Sequence, residues 1–180
     1  MNAQAELLER IENHGGLWQE DELLLKRNGI LHPAGTIANN IYFVTDGALR
    51  IYYENDSGEN TIRFAYKGSL FTLLDSFLTG NPSVYAVEAL RKSSLKVMPK
   101  NAFIAFINGD AHNLKLWNML LSHTIASLLE RETDLLATTP KERYERVLLR
   151  SPQLFQHIPH KHIASYLRMA PETLSRLRKS

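Results

Sequence analysis

Five glycines, Gly35, Gly47, Gly58, Gly68 and Gly80, recur at intervals of 12, 11, 10 and 12 residues. Turn signals at that spacing, set between β-rich runs, restrict the middle of the chain to short strands of a sandwich or barrel. The runs alternate as half-buried strands do. Leu49, Ile51 and Tyr53 stand against Arg50, Tyr52 and Glu54. Ile62, Phe64 and Tyr66 alternate with Arg63 and Ala65, which predicts Ile62 and Phe64 inside and Arg63 toward solvent. Asn55-Asp56-Ser57-Gly58 has the composition of a hairpin loop. Val84-Tyr85-Ala86-Val87 and Leu95-Lys96-Val97 supply two more strands. Residues 28–98 therefore read as a small antiparallel β-roll. Neither GxGxxG nor GxxxxGK occurs, so the glycines punctuate turns and do not form a phosphate loop.

Helices flank this region. Ala5, Leu7, Leu8 and Ile11 predict an N-terminal amphipathic helix stopped by Gly15-Gly16, followed by a short helical or irregular piece from Trp18 to Lys26. After Pro99 comes a short helix, Asn101 to Ile107, and then the longest helical stretch, residues 111–137. That stretch spans about 40 Å at 1.5 Å per residue. Leu114, Trp117, Leu121, Thr124, Leu128 and Leu135 follow a 3–4 spacing along it. Such a seam packs on its own β-roll, pairs with a symmetry mate, or does both, and a homodimer is the expected assembly because closed two-fold dimers are the commonest oligomers. Thr138-Thr139-Pro140 breaks the helix as a hinge, and Lys141 to Arg150 opens a C-terminal unit.

Charge divides along the same boundary. Residues 139–180 hold 9 Lys/Arg and 3 Asp/Glu, whereas residues 1–138 hold 12 and 16. A basic unit on an acidic body suits a polyanionic partner. In the last twenty residues Ile163, Ala164 and Leu167 give one short helix an apolar face, Arg168-Met169-Ala170 interrupts it, and Pro171 starts a second helix. That second helix turns Leu174 and Leu177 inward and polar or basic residues outward, the pattern of a helix-turn-helix whose second helix enters the major groove. Glu172, Ser175 and Arg176 are expected at base edges, and Thr173, Arg178 and Lys179 at phosphates.

This order of parts resembles the CRP/FNR family of transcription regulators over nearly the whole chain. The stretches IANNIYFVTDGALRIYY, SFLTGNPSVYAVEAL, TTPKERYERVLL and IASYLRMAPETLSRLRK carry the likeness, which is greatest to the short members found in Bacteroidetes-type bacteria. The resemblance implies an α+β fold: a cyclic-nucleotide-binding-like jelly-roll sensory domain over residues 1–110, a dimerisation helix over 111–138 and a helix-turn-helix domain over 139–180. It also implies a homodimer on double-stranded DNA with two-fold symmetric sites, and RNA polymerase and a small-molecule effector as further partners. Relatives that bind cyclic AMP hold its phosphate with Arg followed by Ser or Thr. Here Ser83 and Val84 stand at that pair, beside Tyr85, and Leu73 falls near the position of the ribose-binding Glu. With Leu128 on the long helix, these are the candidate pocket residues. Losing the bidentate Arg contact argues against cyclic AMP. The helix-turn-helix departs from the family pattern too, with Arg168 in place of the turn glycine and Ala170 in place of a Ser or Thr N-cap.

Other classes are excluded or weak. Without cysteine the chain has no disulfide, thiol switch or cysteine-ligated cluster. No catalytic motif or convincing carboxylate pair occurs, so neither catalysis nor a cofactor is expected. His157, His160 and His162 do not share a helix face, which argues against a metal site. The acidic N-terminus lacks a signal-peptide apolar run, and no stretch approaches a membrane span, so the expected location is the cytoplasm. The alternative reading is a ligand-binding sensory protein whose helix-turn-helix is vestigial and binds a protein partner.

Overall fold

The computed structural model describes residues 2–56 and 58–179. Ser57 of the expected hairpin loop and the terminal Ser180 lie outside the described residues. The chain opens with α1 (Ala3–His14), capped by the Asn2 side chain, which accepts from the Gln4 amide at 3.1 Å. Ala3, Leu7 and Ile11 form its buried stripe, and Gly15 ends it with φ of 71°. The expected irregular piece after it contains a strand, β1 (Leu23–Leu25), which pairs with a strand near the end of the roll. Three leucines in a row carry no alternation, so only the tertiary pairing reveals that strand.

The remaining strands are β2 (Ile30–His32), β3 (Asn40–Asp46), β4 (Ala48–Asn55), β5 (Gly58–Tyr66), β6 (Leu70–Phe71), β7 (Ala86–Ala89) and β8 (Ser93–Pro99). They form two four-stranded antiparallel sheets, in the orders β1-β8-β3-β6 and β2-β7-β4-β5. Val44, Leu49, Ile51, Val87, Leu95 and Val97 pack between the sheets as the roll's core. A short helix that the sequence pattern did not announce, α2 (Leu74–Thr79), crosses from β6 toward β7 and buries Phe77. Helix α3 (Lys100–Asn108) and the long α4 (Ala111–Leu136) then return against α1. Asp110 caps α4 by accepting from the His112 and Asn113 amides, and those two bonds hold its carboxyl below the usual carboxylate range.

Helix α4 splits its seam between two faces. Trp117 stacks edge-on against Phe103 with ring centroids 5.0 Å apart, and Leu116 is buried beside it. Leu121 and Thr124 also turn toward the roll. An adjoining face carries Leu114, Ile125, Leu129 and Leu136, exposed by 41%, 59%, 59% and 79%. These positions lie within about 60° of one another at 100° per residue, so they form one continuous apolar stripe.

The C-terminal unit consists of α5 (Pro140–Arg150), α6 (Leu154–His157), α7 (His160–Tyr166) and α8 (Pro171–Leu177). It packs on the outer face of the β2-β7-β4-β5 sheet, where Val147, Leu154, Ile163, Leu167 and Leu174 meet Ala48 and Leu90. This contact overturns the expected orientation of β5. Ala65 is in the roll's core, whereas Phe64 and Tyr66 face the helical unit. Alternation alone assigns the apolar side of β5 inward, because nothing in the strand itself says that its outer side is covered.

Gly47 lies between β3 and β4 with φ of 101°, and a Cβ there would come within 2.6 Å of the Ser93 backbone. Gly35 also has positive φ, 80°, but open space around it. Gly47→Ala is therefore expected to lose about 2–4 kcal/mol through strain and overlap together, and Gly35→Ala about 1 kcal/mol through conformation alone. Equal losses in urea denaturation would show that the Ser93 overlap relaxes freely.

Candidate nucleic-acid interface and effector pocket

The two terminal helices are held in place from below. Ile163, Ala164, Leu167 and Leu174 are at most 1% exposed, which fixes α7 and α8 as one unit. Arg168 turns the chain between them with φ of 53°, a conformation that glycine adopts freely and arginine does not. Its side chain supplies a reason for the choice. The Arg168 guanidinium reaches across to the Asn60 side chain on β5, a contact that glycine could not make. The same turn is braced from α5, where Arg143 donates to the Leu167 carbonyl at 3.1 Å and to the Ala137 carbonyl at 3.0 Å. Ala170 occupies the N-cap of α8 with extended backbone and no side-chain cap, as the sequence suggests.

On the outer side of α8, Glu172, Ser175, Arg176, Arg178 and Lys179 are exposed and Thr173 is half-buried. The structure thus gathers all six nucleic-acid candidates on or just after one short helix. Arg178 donates to a ring nitrogen of His160 at 2.9 Å, and desolvation together with Arg178 presses the His160 pKa down. Burial, with Arg50 and Lys161 nearby, pushes His162 down to about 4. His157 stacks on Tyr66 at 5.1 Å. The three histidines thus have separate partners, and the positive field of the unit rests on its arginines and lysines.

The expected roll-pocket residues do not converge. Leu73 is in the core and Val84 is 56% exposed. Tyr85 packs edge-on to Tyr53, and Leu128 on α4 is 45% exposed and outside the cavity wall. Ser83 is buried and already engaged: its hydroxyl donates to an Asp75 carboxylate oxygen at 2.8 Å and accepts from the Tyr85 amide at 3.1 Å. Its own amide donates to the Thr36 carbonyl at 2.8 Å. A phosphate brought to this point would meet the Asp75 carboxylate in place of an arginine.

A cavity of about 310 Å³ opens elsewhere, between β5, β6 and the first half of α4. Its walls include Phe71, Trp117, Leu120 and Leu121 as apolar surface, and Asn2, Gln4, Arg63, Ser69, Thr72, His123 and Thr124 as polar groups. Arg63 corrects the sequence expectation that it faces solvent. The β4–β5 register shifts between Ile51 and Tyr52, which pair with Arg63 and Thr61 and leave Ile62 as an extra residue. Paired residues in a sheet point to the same side, so pairing with Ile51 puts Arg63 on the inward face, in step with Ala65 opposite Leu49. The alternation of Arg63 and Ala65 against Phe64 and Tyr66 holds as the sequence reads it; sequence alone assigns the two sides the wrong way round because the helices that cover the outer side lie far along the chain.

Residues 22–110 match the family model of the cyclic nucleotide-binding domain. No curated protein matches the chain in sequence. Among solved structures, FixK2 from Bradyrhizobium japonicum is similar at a TM-score of 0.74 and 20% identity, over 88% of this chain and 82% of that one. A CRP/FNR-family transcriptional regulator from Thermus thermophilus is similar at 0.64 and 21%, over 87% and 83%. CLP of Xanthomonas campestris, described as a c-di-GMP-responsive global regulator, is similar at 0.68 and 15%, over 97% and 90%. The chain thus carries a cyclic nucleotide-binding domain over residues 22–110 and shares the overall fold of these regulators, a β-roll followed by a long helix and a helical C-terminal unit.

Proposed function

We propose that the protein is a homodimeric, sequence-specific DNA-binding transcription regulator with an effector-sensing β-roll. The observation that carries this reading is α8, which buries Leu174 completely while Glu172, Ser175 and Arg176 stand exposed with Arg178 and Lys179 beside them. That is the chemistry a recognition helix needs. Arg pairs with guanine O6 and N7, Glu accepts from cytosine N4, and flanking cations meet phosphates. Residues 1–110 act as the sensory domain, 111–138 as the dimerisation helix and 139–180 as the DNA-binding domain. RNA polymerase is a further partner and the cytoplasm the site of action in this reading. Among the described residues no helix is long and apolar enough to cross a membrane.

Arg176→Ala is expected to cost about 1–3 kcal/mol on the preferred operator and little on scrambled DNA. Lys179→Ala is expected to weaken both alike and to reduce the salt slope by about 0.9. Titrations at several salt concentrations on genomic fragments retained by the protein check both. Failure to retain any fragment would favour a vestigial helix-turn-helix that serves a protein partner.

The dimer face is assigned to the exposed α4 stripe rather than to the whole seam read from sequence. Exposed leucines and isoleucines in one line on a helix of this length suit a self-complementary contact. The double variant Ile125→Glu/Leu129→Glu is expected to sediment as a monomer. Leu121, which lines the roll cavity, is a poor choice for this test.

Cyclic AMP and cyclic GMP are not the effectors in this reading. Their phosphate carries a full charge that a protein interior must meet with cations or several donors. At the Ser83 position the hydroxyl and amide are already engaged and Asp75 adds a negative charge. Calorimetry at millimolar nucleotide is expected to give no saturable heat, and micromolar affinity for either would overturn this exclusion.

A further inference from the structure

We infer that the cavity between β5, β6 and α4 is a binding site for a small amphipathic carboxylate, its head group on Arg63 and its apolar body against Trp117, Leu120, Leu121 and Phe71. The inference rests on the effector-sensing reading of the roll and gives that reading a ligand class. It does not depend on whether α8 binds DNA.

Three observations lead to it. First, Arg63 is a cation without a counter-ion. Arg50, the buried arginine of the same sheet, forms ion pairs with both Glu59 and Glu88, whereas Arg63 is half-buried. Among the described residues no carboxylate, hydroxyl or carbonyl hydrogen-bonds the Arg63 guanidinium. Desolvation lowers its pKa, and the Tyr166 phenol is the only ionisable group acting in the opposite direction. Buried charges are normally paired, so an unpaired guanidinium at a cavity wall is a place where an anion restores the balance.

Second, the cavity has the size and character of a ligand site. Its volume of about 310 Å³ stands at the lower end of the range for small-molecule pockets, and its lining combines an apolar wall with several polar groups. The Thr72 and Thr124 side chains share its wall and can serve a second carboxylate oxygen. Trp117, Leu120, Leu121 and Phe71 offer surface to an alkyl or aryl body. A ligand of one charge and an apolar remainder can place its head on Arg63 and its body against this wall.

Third, the site touches the elements through which a roll could act on the rest of the chain. Arg63 and Phe64 belong to β5, and Phe64 packs against Tyr166 of α7 with ring centroids 5.5 Å apart. Trp117, Leu121 and Thr124 belong to α4, whose adjoining face carries the exposed apolar stripe. An occupant therefore bears on both the helix-turn-helix contact and the proposed dimer helix.

The test compares octanoate with octanol, which share a chain length and differ in the charged head. Calorimetry on the full-length protein is expected to show saturable octanoate binding at millimolar or tighter affinity and octanol binding about tenfold weaker or more, since a bond to a charged partner is worth roughly tenfold to a hundredfold. Trp117 fluorescence, read in a Trp18→Phe background, is expected to change in step with the heat. Arg63→Gln should bring octanoate down to the octanol level and leave octanol within about twofold, and Arg63→Lys should recover part of the difference. Leu121→Trp, which fills the cavity, should abolish both ligands and serves as a second variant if Arg63→Gln does not fold. Equal affinity for the two probes, no saturable octanoate heat, or unchanged octanoate binding by Arg63→Gln would each overturn the site. Inorganic phosphate competing with octanoate while octanol does not bind would overturn the amphipathic class. A protein that binds octanoate but retains no DNA fragment would leave this site standing and remove the regulator reading.

Discussion

The structure depends on the burial of both faces of the β4–β5 ribbon. Its inner face closes the roll through Leu49, Ile51 and Ala65. Its outer face carries Ala48, Phe64 and Tyr66 under the C-terminal helices. Burying both sides also removes Arg50 from water, and the ribbon answers that cost locally: Glu88 accepts from Arg50 Nε at 2.7 Å, Glu59 pairs with the other end, and the Tyr52 ring lies 4.2 Å from the guanidinium carbon. A buried pair of this kind adds little net stability over apolar packing. Removing one partner is costly, because it strands the other charge. The arrangement therefore fixes geometry more than it adds stability.

Polar contacts supply the register of the second domain on the first. The Thr61 amide donates to the Ser165 hydroxyl at 3.1 Å, and Arg131 of α4 donates to the Thr61 carbonyl at 3.3 Å while lying over the Tyr166 ring. Both engage the backbone next to the bulge, where the ladder between β4 and β5 is interrupted. A bulge leaves backbone groups without ladder partners, and here side chains from α4 and α7 take them up. The irregularity next to Arg63 therefore provides docking points for α4 and α7. The cavity, the long helix and the C-terminal helices meet around three residues of one strand.

Two surfaces remain with chemistry that the single chain does not use. The apolar stripe on α4 exposes Ile125, Leu129 and Leu136, and the polar face of α8 exposes Glu172 and Arg176. The first resembles half of a hydrophobic core and the second a charged reading head. They belong to one device if two copies join along α4 and set two α8 helices at a fixed spacing, as two-fold operators require.

Much of this was legible in the chain itself. Glycine spacing located the β-roll, because tight turns need positive φ wherever strands reverse. The long helix, the hinge at Pro140 and the two-helix terminus followed from periodicity and capping, which are local properties. The six polar positions of α8 were readable for the same reason: a short helix with Leu174 inward presents its other sides outward. What the sequence could not decide were the features that depend on a partner surface distant along the chain. Strand β1 exists because Leu23 to Leu25 pair with residues 93–95. Phe64 and Tyr66 face outward because helices from residues 140–167 cover them, and Arg63 and Ala65 face inward by the same alternation. Alternation gives two sides to a strand but does not name them; only the packing of one domain on the other does.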